Sequence, residues 1–348
     1  MRLHIIGLPH TATNKSYCGC AFTQKVLNMC KMMKMMGYEV IHYGNEGSEV
    51  ECDENVVILK KDKILSPVDV LKYSQDNNFT TFNYVTIGEI MKRAQKNDFL
   101  LCAWPLHKEI ADRVKDMIIV ESGIGYPSGQ WAPFKVFESY AVLHAYYGLK
   151  AVEKADKFEW YSHVIPNYFD PADFTYGEKP KDYVFFLGMR HGGYGKGYGV
   201  AVDACRDADR RLIVAGPEAP KDKPDWVEYI GLIDVETRKK YLSEAYALIA
   251  PSLFLEPFCG AHIEAFMCGT PVISTDWGAF TEYNIHGKTG FRCHTHKEFV
   301  EAIKNARNIS RYDCYEHSKQ FELKEVGKRY DAYFNTVMKV FTDKGWYA

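Results

Sequence analysis

Residues 256–282 read EPFCGAHIEAFMCGTPVISTDWGAFTE, and the reading of this stretch decides how the chain is built. A helix opens after Pro257 and stops at Gly269, PVIST (271–275) reads as a buried strand, and Asp276 to Gly278 turn the chain at its carboxyl end. A helix feeding a buried strand is half of a parallel-sheet repeat. Glu256 precedes the helix and Glu264 follows eight residues later, about two turns on at 3.6 residues per turn. The two carboxylates are therefore placed to address different parts of one ligand. Each can accept two hydroxyl hydrogen bonds at once, which suits a ribose diol and a sugar diol. Between them Phe258, Cys259, Gly260 and Ala261 offer backbone N–H groups at a helix start, where orphan donors and the helix dipole both favour an anion. The expected ligand is a phosphate with sugars on either side.

Working outward, the same alternation fills the chain. Strand candidates are LHIIGL (3–8), YEVIHYG (38–44), NVVILK (55–60), DFLLCAW (98–104) and DMIIVES (116–122), then YVFFLG from 183, RRLIVAG, WVEYIGL, YALIAPS and PVISTD. Helical segments lie between them, such as AFTQKVLNMCKMMKMM with Gly37 as its stop. This is an α/β chain with parallel sheets covered on both faces. The passage VIPNYFDPADF, with two prolines, marks a boundary, giving an N-terminal domain over 1–170 and a second over 171–325. Two doubly wound, Rossmann-like halves are expected to face a cleft, with ligands gathered at the carboxyl ends of the strands.

Composition excludes more than it assigns. The chain has 348 residues, 47% apolar and 25% charged, with a formal net charge of −2, which argues against disorder and against a bulk polyanion binder. No apolar run reaches the roughly 18 residues a membrane span needs, and MRLHIIGLPHTATN turns polar too early for a signal peptide. A cytoplasmic enzyme with no integral membrane segment is expected. The ten cysteines are scattered without a CxxC pair, so reduced thiols and no zinc site are expected. The Met-rich KMMKMM reads as a buried helix face. Arg238-Lys239-Lys240 reads as a solvated one.

A second constellation is FFLGMRHGGYGKGYG (185–199), a strand running into a glycine-rich loop that carries Arg190 and Lys196. Fixed cations and helix N–H groups can stabilise a departing diphosphate as a metal would, so no metal is expected. The loop lacks the third glycine of GxGxxG, and neither Lys196 nor Gly287-Lys288-Thr289 sits in a Walker loop. The one DxD, Asp207 to Asp209, lies at a helix end before RRLIVAG, away from the strands' carboxyl edge, and reads as surface.

Together these segments resemble a retaining glycosyltransferase of the two-domain GT-B fold, similar to glycosyltransferase family 4. The resemblance rests on Glu256 and Glu264 joined to GTPVIST, WGAFTE and HGKTGF, and on VIPNYFD at 164–170; it spans about three quarters of the chain. It implies a C-terminal helix, 326–348, that crosses back to the N-terminal, acceptor-side domain. It also implies a nucleotide-diphosphate sugar, UDP- or GDP-linked, as co-substrate with no further cofactor. Glu256 would contact the donor sugar, Glu264 the ribose, Arg190 and Lys196 the diphosphate, and Ile230 and Gly231 the nucleobase, while Gly19 in SYCGCAF would approach donor and acceptor. Relatives often have glycine where Cys259 stands. In the N-terminal half His107 and Glu121 both follow strands, and either would face the sugar.

The activity implied is glycosyl transfer with retention of configuration. The acceptor expected is a glycan or lipid-linked sugar, with the aromatic stretch 125–148 bordering its site. Alternatives are a hydroxymethylated base in DNA, which the net charge does not favour, a nucleotide-sugar epimerase or phosphorylase, and a non-catalytic sugar-binding protein. The oligomeric state is not legible.

Overall fold

The computed structural model describes residues 1–73, 77–126, 129–153, 161–188 and 195–342. The chain forms two compact units, one of Met1–Glu138, Leu143–Tyr168 and Leu323–Ala348, the other of Ser139–Val142 and Phe169–Glu322.

The first unit is built on seven parallel strands: β1 (Arg2–Ile6), β2 (Glu39–Gly44), β3 (Glu54–Val57), β4 (Phe99–Cys102), β5 (Ile118–Ile124), β6 (Phe134–Phe137) and β7 (Ser162–Val164). Their order is β3-β2-β1-β4-β5-β6-β7, the doubly wound pattern in which the chain starts at the centre and winds to both sides. Helices α1 (Ala21–Met35), α2 (Asn77–Arg93), α3 (Lys108–Ala111) and α4 (Tyr140–Val152) connect them. Alternation along β1 sends Leu3 and Ile5 to one face, against Val26, Met29 and Met33 of α1, and Ile6 to the other, against Phe82 and Ile90 of α2 and Ile110 of α3. The Met-rich tract is thus a core face, with Met32 and Met33 buried and Met35 exposed.

The second unit has six parallel strands: β8 (Tyr183–Leu187), β9 (Arg211–Ala215), β10 (Glu228–Tyr229), β11 (Ala247–Ala250), β12 (Val272–Thr275) and β13 (Gly290–Cys293). They stand in the order β10-β9-β8-β11-β12-β13. Helices α5 (Tyr198–Asp207) and α9 (His296–Asn305) cover one face, while α6 (Val235–Glu244), α7 (Gly260–Met267) and α10 (Arg311–Ser318) cover the other; the single turn α8 (Phe280–Tyr283) follows β12. Asp207 ends α5 paired with Arg206 and His296 on the surface.

Helix α11 (Leu323–Thr342) then returns to the first unit, as the GT-B resemblance implies. Leu323, Val326, Tyr330, Tyr333, Phe334 and Val337 enter the same core as α1. At about 1.5–3 kcal/mol per buried apolar side chain, this face contributes on the order of 10 kcal/mol. That equals the net stability of a typical domain. Gly327 permits the approach, since a Cβ there would stand 3.1 Å from Met36 of the α1 terminus.

Three strands escaped the sequence reading. Phe134–Phe137 is fully buried yet sits inside the aromatic stretch assigned to the acceptor site, Ser162–Val164 has only three residues, and Gly290–Cys293 was read only as motif. Conversely WVEYIGL shrinks to a two-residue edge strand because only Glu228 and Tyr229 pair with β9. All ten cysteines are free thiols. Among the described residues no helix is long and apolar enough to cross a membrane.

Candidate functional site

In the second unit Lys196 and Glu256 meet at the carboxyl ends of β8 and β11. After β8 the chain passes Gly188; Arg190 lies outside the described residues. It resumes at Gly195, whose carbonyl accepts the Leu253 N–H at 2.9 Å, so this loop lies along the one that follows β11. Gly197 has φ +73, and a Cβ there would fall 2.0 Å from the Pro251 carbonyl. Only glycine allows so close an approach.

That approach brings Lys196 to Glu256. The ammonium donates to both carboxylate oxygens, at 3.0 and 2.9 Å, and Ser252 Oγ donates to Oε2 at 2.8 Å. Glu256 is only 4% exposed. Burial opposes the Lys196 charge, but the Glu256 carboxylate it bonds outweighs burial and holds its pKa above the ordinary value. The ammonium also stands 4.9 Å over the Phe254 ring. The backbone of Glu256 is fixed from the far side: Ala279 N–H donates to its carbonyl at 2.9 Å. Gly278, at φ +61, leaves no room for a Cβ, which would lie 2.8 Å from Glu256 N and O.

Cys259 caps α7 in the left-handed region, φ +63 and ψ 76. The His262 ring bonds its carbonyl through Nδ1 at 2.5 Å, while Nε2 is buried without a partner among the described residues. Burial lowers the His262 pKa to about 3, so the ring is neutral and Nδ1 donates. The side chain of Phe258 is core, stacked on Phe169 and tilted against Tyr283. It is the backbone of 258–261 that lies open: among the described residues the N–H groups of Cys259, Gly260 and Ala261 have no acceptor. Such a helix start suits an anion.

Glu264 is 9% exposed. Its Oε1 pairs with Arg238 Nη1 at 3.4 Å, and its Oε2 is buried with no donor among the described residues. A buried carboxylate oxygen left unpaired costs about 1–3 kcal/mol or more, which a bound hydroxyl would offset. The residues present thus fit a polyhydroxylated anion. Arg238, read in sequence as solvated surface, is half-buried and aims at Glu264, while Lys239 beside it is half-buried to the same degree and pairs with Glu236. Ile230 spends its N–H on Val214 and packs on the core; Gly231, at φ +78, donates nothing inward and faces open space.

The first-unit candidates are corrected by their surroundings. His107 is 1% exposed, bonds the Gly7 carbonyl through Nε2 at 3.0 Å, and burial lowers its pKa to about 3. Its Nε2 holds the turn that follows β1, and its Nδ1 is buried without a partner among the described residues. Glu121 is fully buried; it accepts from Gln130 N and Trp131 N at 3.0 Å, Tyr126 Oη at 3.2 Å and Ala132 N at 3.4 Å. Burial raises its pKa against those donors. Its duty is to fold the β5–β6 loop. Gly19 lies in the turn before α1, where a Cβ would meet only Val70 at 3.4 Å, so the unit itself does not demand glycine there. A polar pair the sequence reading missed is Lys25 with Glu138, in which Lys25 also donates to the Gly123 carbonyl at 3.0 Å. No group of three or more metal-ligating side chains occurs among the described residues.

Comparison with known proteins bears on the fold. Residues 181–308 match the family described as Glycosyl transferases group 1. No curated protein sequence matches the chain. Among solved structures, AviGT4, a glycosyltransferase involved in avilamycin A biosynthesis, is similar with a TM-score of 0.66 at 16% identity, covering 97% of this chain and 98% of that one. Sucrose-phosphate synthase from Thermosynechococcus elongatus is similar with a TM-score of 0.64 at 15% identity, covering 98% of each. The pneumococcal O-GlcNAc transferase GtfA, solved with UDP and GlcNAc, has a TM-score of 0.67 at 10% identity, covering 97% and 99%. At these identities the likeness is one of fold. The chain thus has the α/β, GT-B type of fold over its length and, over residues 181–308, resembles the group 1 glycosyl transferases in sequence.

Proposed function

We propose that this chain is a glycosyltransferase that takes a sugar from a nucleotide-diphosphate donor and transfers it, with retention of configuration, to a hydroxyl of a glycan or lipid-linked sugar. The observation that carries the reading is the cluster in the second unit: Lys196, Glu256 and Ser252 bonded together next to the helix start at 259–261, with Glu264 holding an oxygen unpaired among the described residues. A donor would lay its diphosphate on the N–H groups of 259–261 and on Lys196, joined by Arg190 as the resemblance implies. Its ribose would meet Glu264, its base Gly231, and its sugar hydroxyls Glu256. Because GtfA was solved with UDP and GlcNAc, UDP-sugars are the first donors to try.

In the transfer step the bond from the anomeric carbon to the diphosphate oxygen breaks, its electrons pass to the leaving diphosphate, and the acceptor oxygen bonds to the same face while its proton passes to that phosphate. Lys196 and the helix N–H groups stabilise the charge that develops there. These groups replace the divalent ion that other diphosphate sites recruit, so the reaction is proposed to run without a metal.

The test is a panel of UDP- and GDP-sugars, scored for thermal stabilisation, donor hydrolysis and glycosylated product, with and without EDTA. Stabilisation by one nucleotide series and glycosylation unaffected by EDTA are expected. Free epimer or sugar phosphate without a glycosylated acceptor would replace the reading with isomerisation or phosphorolysis, and binding without turnover would replace it with a sugar-binding protein.

A further inference from the structure

The segment WGAFTE carries Gly278, which clamps Glu256, but its last residue has no part in the donor site described above. Glu282, on α8, places both carboxylate oxygens on the start of α4: Oε2 accepts the Tyr140 N–H at 2.9 Å and Oε1 the Ala141 N–H at 2.8 Å. A carboxylate bonded to two orphan N–H groups at a helix start is a charge-assisted cap. Here the cap comes from a residue more than a hundred positions away, and the first turn it holds, Ser139–Val142, belongs with it to the second unit.

That turn reaches the donor loop. Ser139 Oγ accepts the Val142 N–H at 3.3 Å and donates to the Pro257 carbonyl at 2.7 Å. Pro257 has no N–H of its own and lies between Glu256 and the open N–H groups of 259–261. The loop is thus gripped at two points: at Glu256 by Gly278 and Ala279, and at Pro257 by Ser139. Both grips originate in the same six residues, 277–282.

We infer that Glu282 is a positioning residue for the donor loop: by capping α4 it sets Ser139, which holds Pro257 and so the placement of Glu256 and of the N–H groups meant for the diphosphate. Glu282 touches no donor atom itself. The inference rests on the donor reading above for its effect on turnover, but not for its effect on the loop.

Two variants and a control test it. Glu282→Ala removes both bonds to α4, and Ser139→Ala removes the link to Pro257. Ser310→Ala removes an ordinary cap of the same type, on α10 in the same unit, and serves to match the stability loss of about 2–4 °C that a lost cap brings. With the best donor, kcat should fall about 10–100-fold in Glu282→Ala and in Ser139→Ala, as sub-ångström misplacement does, with donor KM within about 3-fold. The double variant should be no worse than either, since both cut one chain of contacts. Ser310→Ala should keep the parental kcat. In parallel, hydrogen exchange is followed at the amides of His262 and Ala279, which bond the Cys259 and Glu256 carbonyls. Both should exchange faster in Glu282→Ala and not in Ser310→Ala. Equal kcat in Glu282→Ala and Ser310→Ala, additive losses in the double variant, or unchanged exchange would overturn the inference. Faster exchange in a protein that transfers no sugar from any donor would uphold it and overturn the donor reading instead.

Discussion

Replacing Lys196 by alanine separates what the Lys196–Glu256 pair does for folding from what it does for chemistry. In the folded unit Glu256 is 4% exposed and has three short bonds, two of them from Lys196. Breaking a fully buried pair costs about 3–5 kcal/mol, and an exposed pair about 0–1 kcal/mol. The Lys196 side chain is 34% exposed, which places its loss between these limits, at about 1–3 kcal/mol. At about 2–4 °C per kcal/mol for a unit of this size, the midpoint should fall by about 4–8 °C for a 2 kcal/mol loss. Glu256→Gln, added to Lys196→Ala, removes the stranded charge and should recover most of that loss, giving a coupling of about 1–3 kcal/mol. Turnover should behave differently. Loss of a donor aimed at a developing oxyanion costs about 100- to 1,000-fold, and the double variant should recover none of it. The assay is a thermal double-mutant cycle at neutral pH beside turnover of each variant. Because the folded-state pKa of Lys196 is raised, its stabilisation is complete below the ordinary lysine value and fades only as pH rises through the raised one, so neutral pH reads the pair in full. A coupling under about 0.5 kcal/mol would refute the burial argument, and unchanged turnover in Lys196→Ala would refute the assigned role.

Two further expectations come from single residues. A side chain at left-handed φ costs about 1–2 kcal/mol, so Cys259→Gly should raise the unfolding midpoint by about 2–8 °C without weakening donor KM; a marked fall would mean that the thiol's packing outweighs the backbone relief. His107 and His262 each have a folded-state pKa of about 3 against 6.5 unfolded. The unfolded chain therefore binds their protons first, and stability present above pH 6.5 is lost as pH falls towards 3, by up to about 1.4 kcal/mol per pH unit for each ring. Urea titrations from pH 7 to 5 should show this slope, and His107→Phe should reduce it by one proton; an unaltered slope would show that the ring is accessible to acid.

Legibility in the sequence followed contact range. The donor half was readable because Glu256, the helix start, Glu264 and the following strand lie within one repeat, where offset alone fixes side and spacing. Lys196 meeting Glu256 was readable only as an expectation, since it depends on Gly195 and Gly197 lying against 251–253, an approach that glycine permits but does not announce. Arg238 was not legible: its neighbours Lys239 and Lys240 are the same in kind, and only the helix's seating beside α7 aims one of the three cations at Glu264. For His107 and Glu121 the sequence placed each after a strand, which is equally the address of a ligand-facing group and of a buried staple. The β5–β6 loop folding back over Glu121 decides between them, and that fold-back carries no local signal. Glu282 was quoted in a motif without a duty because its partners, Tyr140 and Ala141, are remote in sequence.

The return of residues 323–342 into the core of the first unit bears on how the protein is made. A ribosome delivers β1 to β7 early, yet one face of their sheet lacks the cover that α11 supplies until nearly three hundred and twenty further residues of the chain have followed β1. The second unit can close while translation continues; the first must wait with Leu3, Ile5, Phe99 and Val120 incompletely sheltered. Chaperone demand and aggregation during synthesis should therefore fall on the half emerging first, and a nonsense mutation just before residue 323 should poison that half while sparing the other.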